Sequence, residues 1–449
     1  MNIMPEPPGI RYYDLRHVNG HHTHIDIDNG IVESAGTSFF NKAVIRVLGP
    51  RGWGIVQIDN YAPGSRKEFE NILNHATKLA KITEESVILG DVRHGMLLTV
   101  PVKEDCRSIS IEEKSALLSE IERSAHNPLV VNRRANYTEK IEQIHFLDSS
   151  GNEYSYEMCR SGFSVMAVAS RNGNIQMGHE RDHSIHGFNL RHQAEKGKQA
   201  ADIAVALLDA GAAKGGKMHA VLDPELAGVF AHEAVGHASE GDLIQEGNSV
   251  LKGRTGQKIA NEQLTIVDDP GIHEFGFDPV DAEGVAVGRT EIIRRGVINA
   301  FLHNRETMAS VGNGVPGHAR AMAGEPPLVR MSNTFIETGD ATDEEIFAEC
   351  KKGIFLKGSR GGQVDPGRGV FQFNAEYGYL IENGECTKMI RDVSLSGEIL
   401  TTLHGITLCG KTRLMNPGYC GKGGQSVPVS DGAPHVLLCD AVVGGSGLD

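Results

Sequence analysis

The sequence predicts an α+β protein with two domains: an N-terminal α+β domain over residues 1–215 and a β-rich domain over residues 216–449 that carries a metal-binding helix. A chain of 449 residues has room for two or three domains of about 150 residues. Helical patterns are followed by paired strands without regular βαβ alternation, which is typical of α+β folds. The 54 glycines are about 12% of the chain, against a usual value of about 7%, and indicate many turns and hairpins.

The first elements of the N-terminal half are a strand and two amphipathic helices. Residues 53–58 have the apolar, β-branched composition of a strand. Ser65-Arg-Lys-Glu68 and Ser110-Ile-Glu-Glu113 resemble capping boxes, in which a serine and a glutamate three residues later satisfy the first backbone N–H groups of a helix. Apolar residues at helical spacing follow each box, so we expect a helix after each serine.

Two hairpins and a long helix complete this half. Residues 149–152, Ser-Ser-Gly-Asn, interrupt an apolar pattern in the way that a hairpin turn does. Asn172-Gly173 between two apolar runs is a strong signal for a two-residue hairpin turn, because both residues tolerate positive φ. A helix around residues 190–213 is predicted to connect this half to the next.

The second half contains one helix among many short strands. A strand ends at Leu222, and Asp223-Pro224 then provides a good N-cap and first-turn pair for a helix. Residues 293–298 and 379–386 each follow a strand-turn-strand pattern, the second with Asn383-Gly384 at its turn. We therefore expect a β-rich domain around a single helix.

Charge and hydropathy exclude several classes of protein. The chain has 44 basic and 58 acidic residues, and its net charge of −14 repels phosphate backbones, so direct nucleic-acid binding is not expected. The longest apolar stretch, residues 203–213, is too short to span a membrane, and residues 1–15 lack the pattern of a signal peptide. Seven cysteines without a Cys-x-x-Cys pair indicate a reducing, cytoplasmic compartment.

The segment that carries chemistry is His232-Glu233-Ala-Val-Gly-His237, on the helix that opens at Asp223. Imidazole nitrogens bind zinc, and a neighbouring carboxylate can take a proton from a water whose pKa the metal has lowered to about 7. Two histidines and one glutamate are the minimum parts of such a site. The alternative is a structural helix whose histidines cap or pack locally and whose Glu233 lies on a solvated face.

The spacing of these two histidines predicts a distorted helix. Zinc-protease helices place their histidines four residues apart, on one face. Here they are five apart, which puts His237 about 140° around an ideal helix from His232, too far for both rings to meet one ion. We predict a π-bulge or a break between them, and we expect Gly236 to supply the backbone freedom.

A catalytic zinc takes three protein ligands and leaves a fourth position for water. The candidates for the third ligand are Glu240, Asp242 and a downstream cysteine. Cys420 stands out among the cysteines because glycines surround it in residues 417–424, which allows its loop to approach another element closely.

Taken together, several segments of the chain resemble the TldD branch of the TldD/PmbA metallopeptidase family, and the resemblance covers most of the chain. The segments that carry it are His232 to Asp242, Val267-Asp-Asp269, Asp281-Ala-Glu-Gly284, Met331-Ser-Asn-Thr334, Gly361-Gly-Gln-Val-Asp365, Tyr379-Leu-Ile-Glu-Asn-Gly384, Cys420-Gly-Lys-Gly-Gly-Gln425 and Val443-Gly-Gly445. The N-terminal half is similar more loosely, through Gly52-Trp-Gly54 and its α+β layout.

The resemblance implies a function and a set of site residues. It implies that His232, His237 and Cys420 bind Zn²⁺ and that Glu233 is the catalytic acid and base of peptide hydrolysis. It also implies a heterodimer with a PmbA/TldE-like partner, a chain that lacks the metal motif. A homodimer is the other possibility. The substrates that the resemblance implies are unfolded or small peptides. Two alternatives are a non-enzymatic regulatory or binding protein of the gyrase-modulator type, and a zinc amidohydrolase acting on non-peptide amides.

Other segments have both a functional and a structural interpretation. Residues 361–365 and 420–425 either line a substrate groove or form tight turns. We expect the side chains of residues 331–334 to form hydrogen bonds to nearby backbone groups. We expect the two acids of residues 267–269 to lie in a solvated turn. The histidines at 21–24 lie in an alternating strand pattern, which favours an exposed sheet face over a metal site.

Overall fold

The computed structural model describes residues 8–92 and 99–445. Its N-terminal part is a sheet of six antiparallel strands in the order β3-β2-β1-β4-β5-β6. The strands are β1 (Tyr12–Asp28), β2 (Ile31–Gly49), β3 (Gly52–Asp59), β4 (Val130–Asp148), β5 (Glu153–Arg171) and β6 (Asn174–Ser184). The predicted strand over 53–58 and both predicted hairpins are confirmed, and Asn172 (φ 52°) and Gly173 (φ 81°) form the turn between β5 and β6.

Three helices cover one face of this sheet: α1 (Arg66–Ile82), α2 (Ile111–Ser124) and α3 (Ala194–Leu207). The predicted N-caps are confirmed, because the Ser65 and Ser110 side chains accept from the backbone N–H groups of Glu68 and Glu113. The predicted helix over 190–213 is shorter than expected. It ends at Leu207, since the residues that follow join the second half as strand β7 (Gly211–Ala212).

The second half has a large mixed sheet in the order β16-β17-β20-β24-β8-β15-β18-β19-β7, with β21 paired to β24. Its strands after β7 are β8 (Gly216–Leu222), β15 (Lys352–Lys357), β16 (Gly362–Asp365), β17 (Val370–Asn374), β18 (Tyr377–Glu382), β19 (Glu385–Arg391), β20 (Val393–Glu398), β21 (Ile406–Cys409) and β24 (Val436–Gly445). The hairpin at Asn383-Gly384 is confirmed between β18 and β19.

A second, six-stranded sheet has the order β11-β10-β9-β14-β23-β22. Its strands are β9 (Ile266–Asp268), β10 (Thr290–Arg294), β11 (Val297–Ile298), β14 (Asn333–Ile336), β22 (Leu414–Lys422) and β23 (Gln425–Ala433), while β12 (Ala319–Arg320) and β13 (Leu328–Val329) pair separately. The predicted hairpin over 293–298 is confirmed as β10 and β11.

The helices of this half are short: α4 (Pro224–Phe230), α5 (Gly241–Glu246), α6 (Arg305–Val311), α7 (Asp343–Cys350) and α8 (Ile399–Gly405). The segment that begins with α4 is buried in one apolar cluster with residues of both sheets; for example, Phe230 contacts Phe371 of β17. The predicted α+β class and the β-rich second half are confirmed, but the prediction of a single helix in that half is wrong, because four further short helices, α5 to α8, follow the motif helix. The division into domains at 215/216 stays a prediction. No helix of the described residues is long and apolar enough to cross a membrane.

The two halves are joined by a buried ion pair network around Arg46 of β2. Arg46 bonds both carboxylate oxygens of Asp14 on β1, and its Nη1 donates to Glu283 Oε1 of the second half at 3.0 Å. Glu283 also accepts from the backbone N–H of Arg305 at 2.9 Å. All of the side chains in this network are almost fully buried, so each charge depends on its partner.

We expect Arg46→Met to lower the free energy of unfolding by about 3–5 kcal/mol, because it leaves two carboxylates buried without their cation. Urea denaturation measures the change. Arg66→Met is the matched control: Arg66 pairs with Glu70 on the exposed side of α1, and its loss should cost less than about 0.5 kcal/mol. Equal effects of the two substitutions would contradict a joining role for Arg46.

Candidate metal centre

The motif helix changes its winding at the histidines. The Asp223 side chain caps α4 by accepting from the Leu226 N–H at 2.9 Å, and Pro224 occupies the first turn. The chain then forms a π-helix over Ala231–Gly236, in which the N–H of His237 donates to the carbonyl of His232, five residues back. The predicted π-distortion is confirmed, and it brings both imidazoles to one side of the helix.

Gly236 does not supply special backbone freedom, so that prediction is wrong. Its φ of −56° and ψ of −60° are ordinary helical values that any residue adopts. The requirement for glycine comes from packing, since a Cβ at this position would lie 2.9 Å from Cγ and 3.0 Å from Sδ of Met331. Glycine therefore lets Met331 approach the π-turn.

His232, His237 and Cys420 form one cluster, in which the candidate ligand atoms all lie within 4.8 Å of one another. Cys420, on β22, places its Sγ 3.5 Å from His237 Nε2. The two imidazole centroids are 5.3 Å apart and their planes are nearly perpendicular. Across residues 8–92 and 99–445 no other such group of metal-binding side chains occurs, and the histidines at 21–24 form no such cluster.

Glu233 lies at the more open side of this cluster. Its Oε2 is 3.7 Å from His237 Nε2, the nitrogen that also faces Cys420. Its side chain is 33% exposed, whereas that of His232 is 2% exposed. Burial raises the pKa of Glu233, and the two histidines partly oppose that rise. The carboxylate is therefore placed to exchange a proton with a group held at the cluster.

Carboxylates hold the outer edges of both imidazoles. Asp431 Oδ1 lies 2.7 Å from His232 Nδ1, and Glu240 Oε2 lies 3.3 Å from His237 Nδ1. Lys422 donates from Nζ to Glu240 at 2.9 Å and to Asp242 at 2.6 Å. Glu240 and Asp242, the alternative third ligands, thus lie beside Lys422 rather than with Cys420. Such carboxylate partners fix the orientation of metal-binding histidines.

Sequence reasoning missed Asp431, because it lies in no metal-binding motif. Asp431 belongs to β23, and only the pairing of β23 with β22 and β14 brings it beside the π-helix. No local pattern around it indicates this role.

In the absence of a metal, the imidazoles of the cluster stabilise the negative charge of its thiolate. Burial raises the pKa of the Cys420 thiol, but His232 and His237 outweigh burial and lower it to about 5. Burial lowers the pKa of His237, while Cys420 and Glu240 raise it to about 9. At neutral pH the sulfur is a thiolate beside imidazolium rings, the state from which a cation displaces protons.

The acids of residues 267–269 do not lie in a solvated turn as expected. Asp268 is fully buried and accepts from the Ser332 hydroxyl at 2.5 Å and the Thr334 hydroxyl at 2.8 Å. The Asn333 side chain donates to the backbone of Asp269 at 2.9 Å. These bonds join β9 to the segment that carries Met331, the residue packed on the π-turn.

Three family models match the chain: PmbA/TldA metallopeptidase domain 1 over residues 13–80, the central domain over 104–208 and the C-terminal domain over 215–445. The three matches together span most of the chain and define a protein of a metallopeptidase class, and the chain belongs to the PmbA/TldD metallopeptidase family. The predicted TldD resemblance is confirmed by relatives named for it.

Two relatives are similar over most of the chain. A protein named metalloprotease from Archaeoglobus fulgidus is 40% identical over 438 residues, 97% of this chain and 100% of that protein. A protein named zinc metalloprotease TldD homolog from Saccharolobus solfataricus is 30% identical over 422 residues, 89% of each chain.

Solved structures share the fold at low sequence identity. A Thermotoga maritima protein described as a candidate modulator of a DNA gyrase superposes with a TM-score of 0.79 at 21% identity, over 96% of both chains. TldE from Thermococcus kodakarensis superposes with a TM-score of 0.75 at 18% identity, over 95% of this chain and 96% of that one. These likenesses concern the fold alone.

We expect the Cys420 thiol to titrate near pH 5 in metal-free protein, because the two histidines stabilise its thiolate. The measurement is the pH-dependent thiolate absorbance of chelator-treated wild type minus that of Cys420→Ser. The matched control is Cys386→Ser: Cys386 is exposed and burial raises its pKa, so its difference signal should appear only above about pH 8.5. A Cys420 thiolate signal that appears only above about pH 8.5, together with that of Cys386, would contradict stabilisation of the thiolate by the two histidines.

Proposed function

We propose that this chain is a zinc-dependent metallopeptidase that hydrolyses unfolded or small peptides. In this proposal His232, His237 and Cys420 hold the metal, and Glu233 is the catalytic acid and base. The observation that carries it is a cluster of three ligand side chains with a carboxylate at its more open side. Three protein ligands with a free fourth position are typical of catalytic zinc, whereas structural zinc has four closed ligands.

The donor set fits zinc. Two imidazole nitrogens and one thiolate are borderline and soft donors, which zinc accepts and which magnesium or calcium does not prefer. A dication also matches a site whose thiolate and flanking carboxylates are negative. When bound there, zinc supplies Lewis-acid polarisation of a carbonyl and a lowered pKa for water.

The protein's own part in hydrolysis is proton transfer and positioning. Glu233 takes the proton from the attacking water and returns it to the leaving amine, a task suited to a carboxylate whose pKa burial has raised. Asp431 and Glu240 hold the two imidazoles in orientation from their far sides. Burial raises the pKa of Glu240, but His237 and Lys422 together outweigh burial and lower it, so that this carboxylate stays charged.

The substrate in this proposal is an extended peptide. Strand β16 is the edge of the large sheet, its residues are largely exposed, and it packs beside the π-helix. Backbone groups of an edge strand accept an added strand without regard to side-chain sequence. This placement favours the groove interpretation of residues 361–365 over a simple turn.

The partner in this proposal is a PmbA/TldE-like chain, with a homodimer as the other arrangement. Membership of a family that includes both PmbA and TldD proteins supports such a partner. We place the activity in the cytoplasm because the cysteines in the described part of the chain are all free thiols, as a reducing compartment requires. A purely regulatory role would leave Glu233 without a purpose, and activity on non-peptide amides is an outcome that the assays below distinguish.

We expect Glu233→Gln to retain zinc and to lower kcat/KM for an unfolded peptide by roughly 10²–10⁴-fold, because glutamine keeps the shape but cannot transfer the proton. Metal analysis and a peptide-cleavage assay, with a PmbA/TldE-like partner present, check the two halves of this expectation. Glu246→Gln, an exposed change at the end of α5, is the control and should leave cleavage unchanged. Full activity of Glu233→Gln would remove Glu233 from this role, and cleavage of small amides alone would favour the amidohydrolase.

We expect Cys420→Ser to weaken zinc binding by at least roughly 100-fold, more than the loss of a residue that merely supports a ligand. Zinc titration against a competing chelator measures the affinity. The matched control is Cys409→Ser, a buried cysteine of β21 outside the cluster, which should bind zinc as the wild type does. Unchanged zinc affinity of Cys420→Ser would mean that the ligand set is wrong.

A further inference from the structure

A polar cavity, separate from the metal centre, lies between the N-terminal sheet and the second half. Its volume is about 90 Å³, and it is lined from one side by strands β1, β4 and β5. From the other side it is lined by residues 278–282 and 320–322 and by the β22–β23 hairpin. Tyr419 of that hairpin contributes to the wall, and because neighbouring side chains of a strand point to opposite faces, the Cys420 thiol lies on the other face.

The charges that line this cavity are unbalanced. Its wall has four cationic side chains and two anionic ones, a local charge of +2 in a chain whose net charge is −14. Both carboxylates already have cationic partners. Asp278 accepts from Arg160 at 3.0 Å and from Arg320 at 2.8 Å, and Glu142 lies 2.7 Å from Lys140 Nζ.

Arg16 of β1 is the cation left over. It is only 9% exposed, and its Nη1 donates to the Met322 carbonyl at 3.1 Å. Its Nε is buried without a hydrogen-bond partner, and no carboxylate of the described residues comes within the 4.0 Å of an ion pair. A guanidinium stays charged at every physiological pH, and burying it without a counter-charge is costly. A buried polar group of this kind is satisfied by a bound ion or by an ordered water, and a charged group in a cationic wall favours an anion.

We propose that this cavity binds a small oxyanion, a carboxylate or a phosphate, which accepts hydrogen bonds from Arg16 and neutralises the excess positive charge. The planar, forked guanidinium matches the two oxygens of such an anion. The space is several times the roughly 30 Å³ that one water takes in the liquid, enough for an ion of four or five heavy atoms. Interfaces between domains are common places for such sites.

A bound oxyanion would hold the two halves together at the back of the metal centre. Arg16 belongs to the first sheet, while Arg320 on the opposite wall donates to the Pro428 carbonyl of β23 at 2.6 Å. The anion therefore bridges β1 to the hairpin that carries Cys420. This site is independent of the proposed zinc, so its test works equally with metal-free protein.

Calorimetric titration of metal-free full-length protein tests the site, with inorganic phosphate in one arm and acetate in the other. Sodium chloride at matched ionic strength is the reference. We expect saturable binding of one anion per chain and a higher unfolding temperature in the arm that binds, whereas chloride gives neither. Saturation by phosphate assigns the site to phosphate, and saturation by acetate assigns it to carboxylates. Heats that never saturate in both arms, or that follow ionic strength alone, would overturn the proposal.

Variants locate the binding. Arg16→Gln should weaken the affinity for the anion by roughly 10–100-fold, as expected for loss of hydrogen bonds from a charged group. In anion-free buffer this variant should unfold at the same temperature as wild type or at a higher one, because the substitution removes an unpaired buried charge. If Arg16 had a merely structural role, the unfolding temperature of the variant would be lower than that of wild type. Arg66→Gln removes an exposed arginine on α1 and should bind as wild type does. Equal weakening by both substitutions would overturn the proposal.

A third variant guards against misfolding of Arg16→Gln. Lys140→Gln changes a cavity cation whose side chain is 36% exposed, so it is tolerated more easily. This substitution should also lower the affinity for the anion relative to wild type. An unchanged affinity would contradict a site that depends on the cationic side chains of the cavity wall.

Discussion

Two imidazoles five residues apart can face one point only if the helix between them widens, and the rest of the site depends on that π-turn. The turn lies in the apolar core between two sheets, where Met331 packs against Gly236. Met331 in turn belongs to the segment that Asp268 holds through Ser332 and Thr334. The winding of six residues is therefore fixed by contacts from strands that are distant in sequence.

Around this turn the protein buries charge in compensated groups. The thiolate of Cys420 faces two imidazoles, each imidazole has a carboxylate behind it, and Lys422 serves two carboxylates at once. Removing one member of such a group leaves an uncompensated buried charge. The loss of stability on removing one member therefore exceeds the stability that the complete group contributes. The same compensation of buried charge joins the two halves at Arg46. Arg16 is the exception, because no carboxylate of residues 8–92 and 99–445 pairs with it.

Local patterns in the sequence were enough to predict much of the fold and the core of the candidate site. Helix caps at Ser65 and Ser110 and the Asn-Gly turns are set by neighbouring residues, so a few positions reveal them. The π-distortion was predictable for another reason: two histidines five residues apart can meet one ion only if the helix widens. Asp431 and the burial of Asp268 could not be predicted, because strand pairing creates their surroundings. Gly236 was assigned the wrong physical reason, since its contact with Met331 has no trace in the local sequence.

The order in which the chain is synthesised determines when this centre can exist. Cys420 and His237 are 183 residues apart, and β24, the last described strand, lies in the middle of the large sheet between β20 and β8. The cluster lacks its cysteine until residue 420 has been synthesised, and the large sheet lacks its middle strand until residues near 440 have been synthesised. At about 5–20 residues per second, the motif helix waits roughly 10–40 s for its cysteine. A nascent chain therefore carries the histidines without the thiolate, and the three-residue cluster forms only after most of the second half has been synthesised.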